Sequence, residues 1–155
     1  MTNGIGGSTA QTELADLAPW PNPAPAITRQ ERLARIARAR ELMDEIGAEA
    51  LIIGAGPSLR YFTGVAWGPT ERLVAMVLPR QGDLRMICPR FELGSREAAL
   101  GVDAERLLWE EHESPYELTA RALDGAASLA IDPALPFFVF NGVAKAAPAL
   151  KLLDG

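Results

Sequence analysis

Glu110-Glu111-His112-Glu113 is the densest run of titratable side chains in this sequence, one imidazole among three carboxylates, which are donor types that metal sites use. Its neighbours argue against a metal. Adjacent loop residues point in different directions, and His112 is the sole histidine, so no second imidazole completes a zinc set. A solvated acidic loop accounts for the run without a ligand. The carboxylates Glu92, Glu97, Asp103 and Asp132 are scattered, whereas acid/base work needs two held together with divergent pKa values. Glu92 near a helix start and Asp132 after a strand occupy positions that favour acidic residues for structural reasons. The lone thiol, Cys88, ends an apolar run before Pro89 with no His or Lys close in sequence, and it reads as a small core residue. Gly54-Ala55-Gly56 follows a strand as a dinucleotide-binding loop would, but Leu59 stands where the third glycine belongs and Pro57 removes an amide. The segment reads as a tight turn.

One stretch is underdetermined by core packing. In Tyr61-Phe62-Thr63-Gly64-Val65-Ala66-Trp67-Gly68-Pro69, burial explains Tyr61 or Phe62, while the Trp67-Gly68-Pro69 tip is expected to be solvent-accessible and to meet a cleft or a partner surface. The loop from Trp67 to Arg72 is therefore a candidate for a cleft or a subunit contact. No residue is a candidate for catalysis or for binding a metal.

The elements that would position these residues can be read from periodicity. Thr28 and Glu31 have capping-box spacing, and Leu33, Ile36, Ala37, Met43 and Ile46 share one face of the helix that follows, with Gly47 as its stop. Ala50-Leu51-Ile52-Ile53 is apolar without alternation, as in a strand covered on both faces. Leu73 to Leu78, a turn at Pro79-Arg80-Gln81-Gly82-Asp83, and Leu84 to Cys88 predict a hairpin. Residues 90–100 are expected to be helical, and Arg106 to Trp109 a short strand. Ser114-Pro115 opens another helix, Ser128 to Ile131 gives a further strand, and residues 135–153 are apolar enough for a last helix. The alternation predicts an α/β fold with a mixed sheet of about five or six strands flanked by helices.

The 155 residues suit one compact core, preceded by a flexible Pro-rich arm over 1–26 that should be dispensable for folding. Pro19, Pro21, Pro23 and Pro25 favour an extended arm, within which Trp20 is either an incidental linker residue or an anchor onto a subunit surface. A net charge of -5 without a basic stripe gives no footprint for nucleic acid. A single cysteine excludes an internal disulfide framework, and 48% hydrophobic with 23% charged residues fits neither disorder nor a membrane bundle. Residues 1–26 lack a charged start followed by an apolar run, so a cytoplasmic location is the default expectation.

In order and spacing the segments resemble the N-terminal domain of the creatinase/prolidase/aminopeptidase P family of metallopeptidases, from about Arg32 to Pro148. The resemblance rests on the helix from Arg32, Glu49-Ala50-Leu51-Ile52 and above all Tyr61-Phe62-Thr63-Gly64. Arg72, Pro89-Arg90-Phe91-Glu92, Trp109 with Glu113-Ser114-Pro115-Tyr116, and Ile131-Asp132 with Leu135-Pro136 add to it. Ser58 stands where the family often has Asn. The resemblance implies a ribonuclease-H-like domain, residues 27–155, without catalytic residues of its own. The family's pita-bread catalytic domain carries two Asp, one His and two Glu ligands for a pair of divalent ions, manganese or zinc, and no such set occurs here.

It further implies a module of a Xaa-Pro peptidase, partnered by its own catalytic domain and forming a homo-oligomer, with a peptide as the parent's substrate and neither nucleic acid nor membrane as a partner. Related enzymes turn the loop after the Tyr-x-Thr-Gly segment towards the cleft, which carries over to Trp67, Gly68, Glu71 and Arg72. Arg72 is suited to a substrate carboxylate through its two parallel donors, or else to a solvated pair with Glu71 or another acid. A parent of creatinase type, acting on a small substrate, and a free-standing interaction domain are the alternatives.

Overall fold

The structure, a computed structural model, describes residues 6–92, 94 and 100–155. In chain order the elements are α1 (Ala10–Ala15), α2 (Arg29–Ile46), β1 (Ala50–Gly54), α3 (Pro57–Thr63), β2 (Ala75–Pro79), β3 (Arg85–Pro89), a 3-10 turn (Arg90–Glu92), β4 (Glu105–Trp109), α4 (Pro115–Ala122), β5 (Ser128–Ile131), α5 (Phe137–Ala146) and β6 (Lys151–Asp154). The strands form one six-stranded mixed sheet in the order β4-β3-β2-β1-β5-β6. β1 runs antiparallel to β2 and parallel to β5, β2 runs antiparallel to β3, and the β3–β4 and β5–β6 pairs are parallel. Every strand except β2 therefore points the same way, and the carboxyl ends of five strands lie along one rim.

The apolar run of β1 is buried at all its positions because helices cover both faces of the sheet. On one face Ile36, Ala39 and Met43 of α2 and Leu59 of α3 pack against Leu51, Ile53, Met76, Leu78, Met86 and Cys88. On the other, Ala122 of α4 and Val139 and Val143 of α5 meet Ile52, Val77, Ile87 and Leu129. Cys88 is a free, buried thiol in this core.

The capping box at the start of α2 forms as its spacing predicts. The Thr28 hydroxyl accepts from the Glu31 amide at 3.2 Å, and the Glu31 carboxylate accepts from the Thr28 amide at 2.9 Å. The Thr28 backbone and hydroxyl donors hold the Glu31 carboxyl below its ordinary value. Gly47 closes the helix in the left-handed conformation at φ 70°.

Three readings are corrected, and a fourth lies largely outside the described residues. The buried stripe of α2 is narrower than periodicity suggests: Leu33, Ala37 and Ile46 are exposed, and Ala39 takes an inner place. The span 135–153 is not one helix; α5 ends at Ala146, and Lys151–Asp154 form the edge strand β6. Pro148 accounts for the break, since a proline lacks the amide a continuing helix needs. The arm contains a short helix, α1, capped by the Thr9 hydroxyl, although it buries nothing. Of the helical reading for 90–100, the described residues are the 3-10 turn Arg90–Glu92, a helical Gly94 and Leu100, which is not helical; 93 and 95–99, Glu97 included, lie outside them.

Candidate functional site

The Tyr61-Phe62-Thr63-Gly64 segment is the last turn of α3 and the launch point of the loop over 64–74. Gly56 begins α3 at φ 144° and Gly64 ends it at φ 89°, both conformations that an L side chain resists. The Gly64 amide donates to the Arg60 carbonyl at 2.9 Å. Thr63 is fully buried; its hydroxyl donates to the Leu59 carbonyl at 2.7 Å and accepts from the Val65 amide at 3.1 Å, which turns the chain inward at Val65. Phe62 packs against the core, and Tyr61 lies edge-on to it at 5.0 Å with the Arg35 guanidinium 4.1 Å over its own ring. The motif thus builds a helix end and a turn. Replacing Thr63 by Val should destabilise the protein by about 1–3 kcal/mol, because a buried amide loses its acceptor, whereas Thr63→Ser should stay near the wild-type unfolding midpoint in a thermal melt.

Beyond the turn, Gly68, Pro69, Thr70 and Glu71 are exposed, as the tip was expected to be. Trp67 differs from that expectation: it is half-buried and packs against the core cluster that α2 and α3 form with the sheet. Its indole holds the loop against the core, while Ala66 before it and Gly68 to Glu71 after it face solvent. At the far end the Thr70 hydroxyl accepts from the Arg72 amide at 3.3 Å and donates to the Arg72 carbonyl at 3.1 Å, closing a local turn.

Arg72 is already engaged. Its Nε and Nη2 donate to one Glu111 oxygen at 3.1 and 2.9 Å, its Nη1 donates to Glu71 at 2.8 Å, and its guanidinium carbon lies 5.3 Å from the centre of the Phe91 ring. Beside it Arg90 pairs with Glu110, and the Glu113 carboxylate accepts from the Glu110 amide at 2.8 Å. The parallel register that sets Pro89 opposite Trp109 explains this second ladder, since it brings the residues after β3 alongside those after β4. That register was the one signal for the pairs. Buried Trp109 completes the floor: its indole N–H donates to the Leu73 carbonyl at 3.1 Å and ties β4 to the loop's end.

The loop, the Arg90–Glu92 turn and the acidic run all lie on the rim formed by strand carboxyl ends, where open α/β sheets place their ligands. The other sequence candidates are held separately. Asp103 pairs with Arg29, while Asp132 accepts from the Ala134 amide at 2.9 Å in a turn after β5. Gly54 is a packing residue as much as a turn former, for a Cβ there would stand 2.7 Å from a Leu135 methyl. Among the described residues no three His, Cys, Asp or Glu side chains are grouped to hold a metal ion, so the acidic run with exposed His112 does not fit one. Nor, among those residues, is any helix long and apolar enough to cross a membrane.

Residues 35–155 match the Creatinase/Prolidase N-terminal domain. Among curated proteins, the chain is 30% identical over 122 residues to the probable dipeptidase PepE of Mycobacterium bovis, covering 77% of this chain and 32% of that protein. It thus spans about a third of the length of this relative. Among solved structures it is similar to dipeptidase PepE from Mycobacterium ulcerans, at 30% identity and a TM-score of 0.70, covering 83% of this chain and 36% of that one. The creatinase/prolidase N-terminal domain of an X-Pro dipeptidase from Streptococcus pyogenes shares the fold at 19% identity, with a TM-score of 0.66, covering 78% of this chain and 92% of that one. With the match extending from within α2 to the end of β6, the chain belongs to the creatinase/prolidase N-terminal domain family.

Proposed function

We propose that the chain is the non-catalytic N-terminal domain of a Xaa-Pro metallopeptidase, of aminopeptidase P or prolidase type, and that it contributes to oligomerisation and to substrate access. The observation that carries this reading is the family match over 35–155 in a chain that spans about a third of a dipeptidase relative. In this reading the two divalent ions, manganese or zinc, belong to the catalytic portion, and a peptide substrate reaches them past this domain. The exposed tip from Gly68 to Glu71 borders that path. Arg72, with two carboxylates on its guanidinium, is a positioning residue that holds the tip rather than a free clamp for substrate.

A chimera tests the proposal: this chain in place of the matching N-terminal part of the Mycobacterium ulcerans dipeptidase PepE. The chimera should cleave a Xaa-Pro dipeptide in a metal-dependent way. Within it Arg72→Ala should lower kcat/KM by about tenfold through misplacement of the loop, while the unfolding midpoint moves little because the pair is largely exposed. A chimera whose kinetics ignore Arg72→Ala would remove the loop from substrate access.

A further inference from the structure

The amino-terminal rim of the sheet, opposite the candidate loop, holds an open cavity of about 300 Å³, at the small end of ligand pockets. It is lined by Glu49 ahead of β1, Arg80 and Gln81 in the β2–β3 turn, Arg85 at the start of β3, and Asp124 and Gly125 between α4 and β5. Two guanidinium groups and two carboxylates thus share one cavity, and its lining carries no net charge. Glu49 and Arg80 stand opposite each other one step beyond the Ala50–Pro79 pair, with the Arg80 amide donating to the Glu49 carbonyl at 2.8 Å. Opposite charges in that position ordinarily pair across strands. These two do not: Glu49 turns one oxygen to the Ala127 amide at 2.7 Å, and Arg80 has a long contact, 3.7 Å, with Asp44.

The unused bonding capacity separates by sign. Arg85 is spent: it donates to the Ala122 carbonyl and to Glu105 at 3.2 Å, and Asp124 lies 3.5 Å from its third nitrogen. Among the described residues the Arg80 guanidinium and the Gln81 side-chain amide donate to nothing, and they form the free donor side. The second Glu49 oxygen and the other Asp124 oxygen accept nothing there, and they form the free acceptor side. A simple anion would meet the acceptors and a simple cation the donors, whereas an ammonium and a carboxylate on one carbon satisfy both sides at once. Pro79, Leu123 and Ala126 add an apolar lining that suits a short side chain.

We propose that this cavity binds a free α-amino acid, its carboxylate held by Arg80 and Gln81 and its ammonium by Glu49 and Asp124. The site lies away from the Trp67–Arg72 loop, so it stands whether or not the domain serves a peptidase. Isotope-labelled full chain titrated with L-alanine should show saturable shifts of the Gln81 and Gly125 amides, with a Kd of about 1 mM, as befits an open, solvated site. N-acetyl-L-alanine, which lacks the cation, and L-alaninamide, which lacks the anion, should each bind about tenfold more weakly or worse. Arg80→Ala and Glu49→Gln should each weaken L-alanine binding about tenfold. Neither should shift the thermal midpoint much, because Arg80 makes only the long contact and Gln retains an acceptor for the Ala127 amide. Three results would overturn the proposal: no saturable shift up to tens of millimolar L-alanine, equal binding of either singly charged derivative, or unchanged affinity in either variant.

Discussion

Trp109→Ala should lower the stability of the chain by about 3–5 kcal/mol, the range for emptying a buried indole site, and shift its thermal midpoint down by roughly 10 °C. The residue is 6% exposed and sits in the core layer under α4 and α5 with Ile87 and Leu129. Its removal leaves a cavity there and also strips the Leu73 carbonyl of its donor. Native domains are stable by about 5–15 kcal/mol, so such a loss consumes a large share of the total. Trp109→Phe separates the two terms: it keeps most of the packing and loses only the hydrogen bond, so its cost should be about 1–2 kcal/mol. Denaturant melts of the two variants measure both. Equal losses would make the indole N–H, not the ring, the reason for a tryptophan here. Because Leu73 ends the candidate loop, the Phe variant should also loosen the segment 64–74, readable as faster amide exchange at Val65 and Leu73 without global unfolding.

The sheet's centre was legible because burial on both faces leaves a mark that local rules can read. Ala50 to Ile53 and Leu73 to Leu78 have no polar alternation, and they are the two neighbouring central strands. The capping box and the β2–β3 turn were legible for a similar reason, each being complete within a few residues. What was not legible depends on partners distant in sequence. β6 is an edge strand of four residues whose pattern, Lys-Leu-Leu-Asp, acquires meaning only once β5 lies beside it. Gly142 is a weak helix former by type, yet it sits inside α5, where a Cβ would come within 2.5 Å of the Tyr116 ring; its lack of a side chain lets α4 approach.

The candidate loop divides in the same way. Gly64 and Thr63 act on neighbours within four residues, and their type announced a turn. Gly68-Pro69 announced an exposed tip. Trp67 announced nothing about its own burial, because the core cluster it packs against is assembled from segments as far apart in sequence as Ile36 and Ala130. For Arg72 a pair with the adjacent Glu71 was one of two readings, and it forms, but the fork onto Glu111 was not legible, since Glu111 is 39 positions away. Reading chemistry from residue type alone therefore overstates how many side chains are free to meet a ligand.

The largest expected effect on activity is a complete one: the purified chain should release no product from Ala-Pro or Gly-Pro peptides with either manganese or zinc added. Hydrolysis by a metal pair needs several carboxylate and imidazole donors converging on two ions a few ångströms apart, with one water activated between them. Within the described residues the carboxylates are committed elsewhere or apart: Glu110 to Arg90, Glu111 to Arg72, Glu113 to the Glu110 amide, Glu49 to the Ala127 amide and Asp103 to Arg29. His112 is exposed beside them and Cys88 is sealed in the core, so neither adds a donor to a common point. Titrating manganese or zinc into the chain should accordingly give no binding at micromolar affinity and no change in the thermal midpoint, since an ion that bound the folded state would raise it. The same preparation joined to the catalytic portion of the PepE relative serves as the positive control. Chelator-sensitive cleavage that follows the unfused chain through successive columns, and is lost in His112→Ala, would show that the acidic run holds a working metal and would overturn the assignment of this domain as non-catalytic.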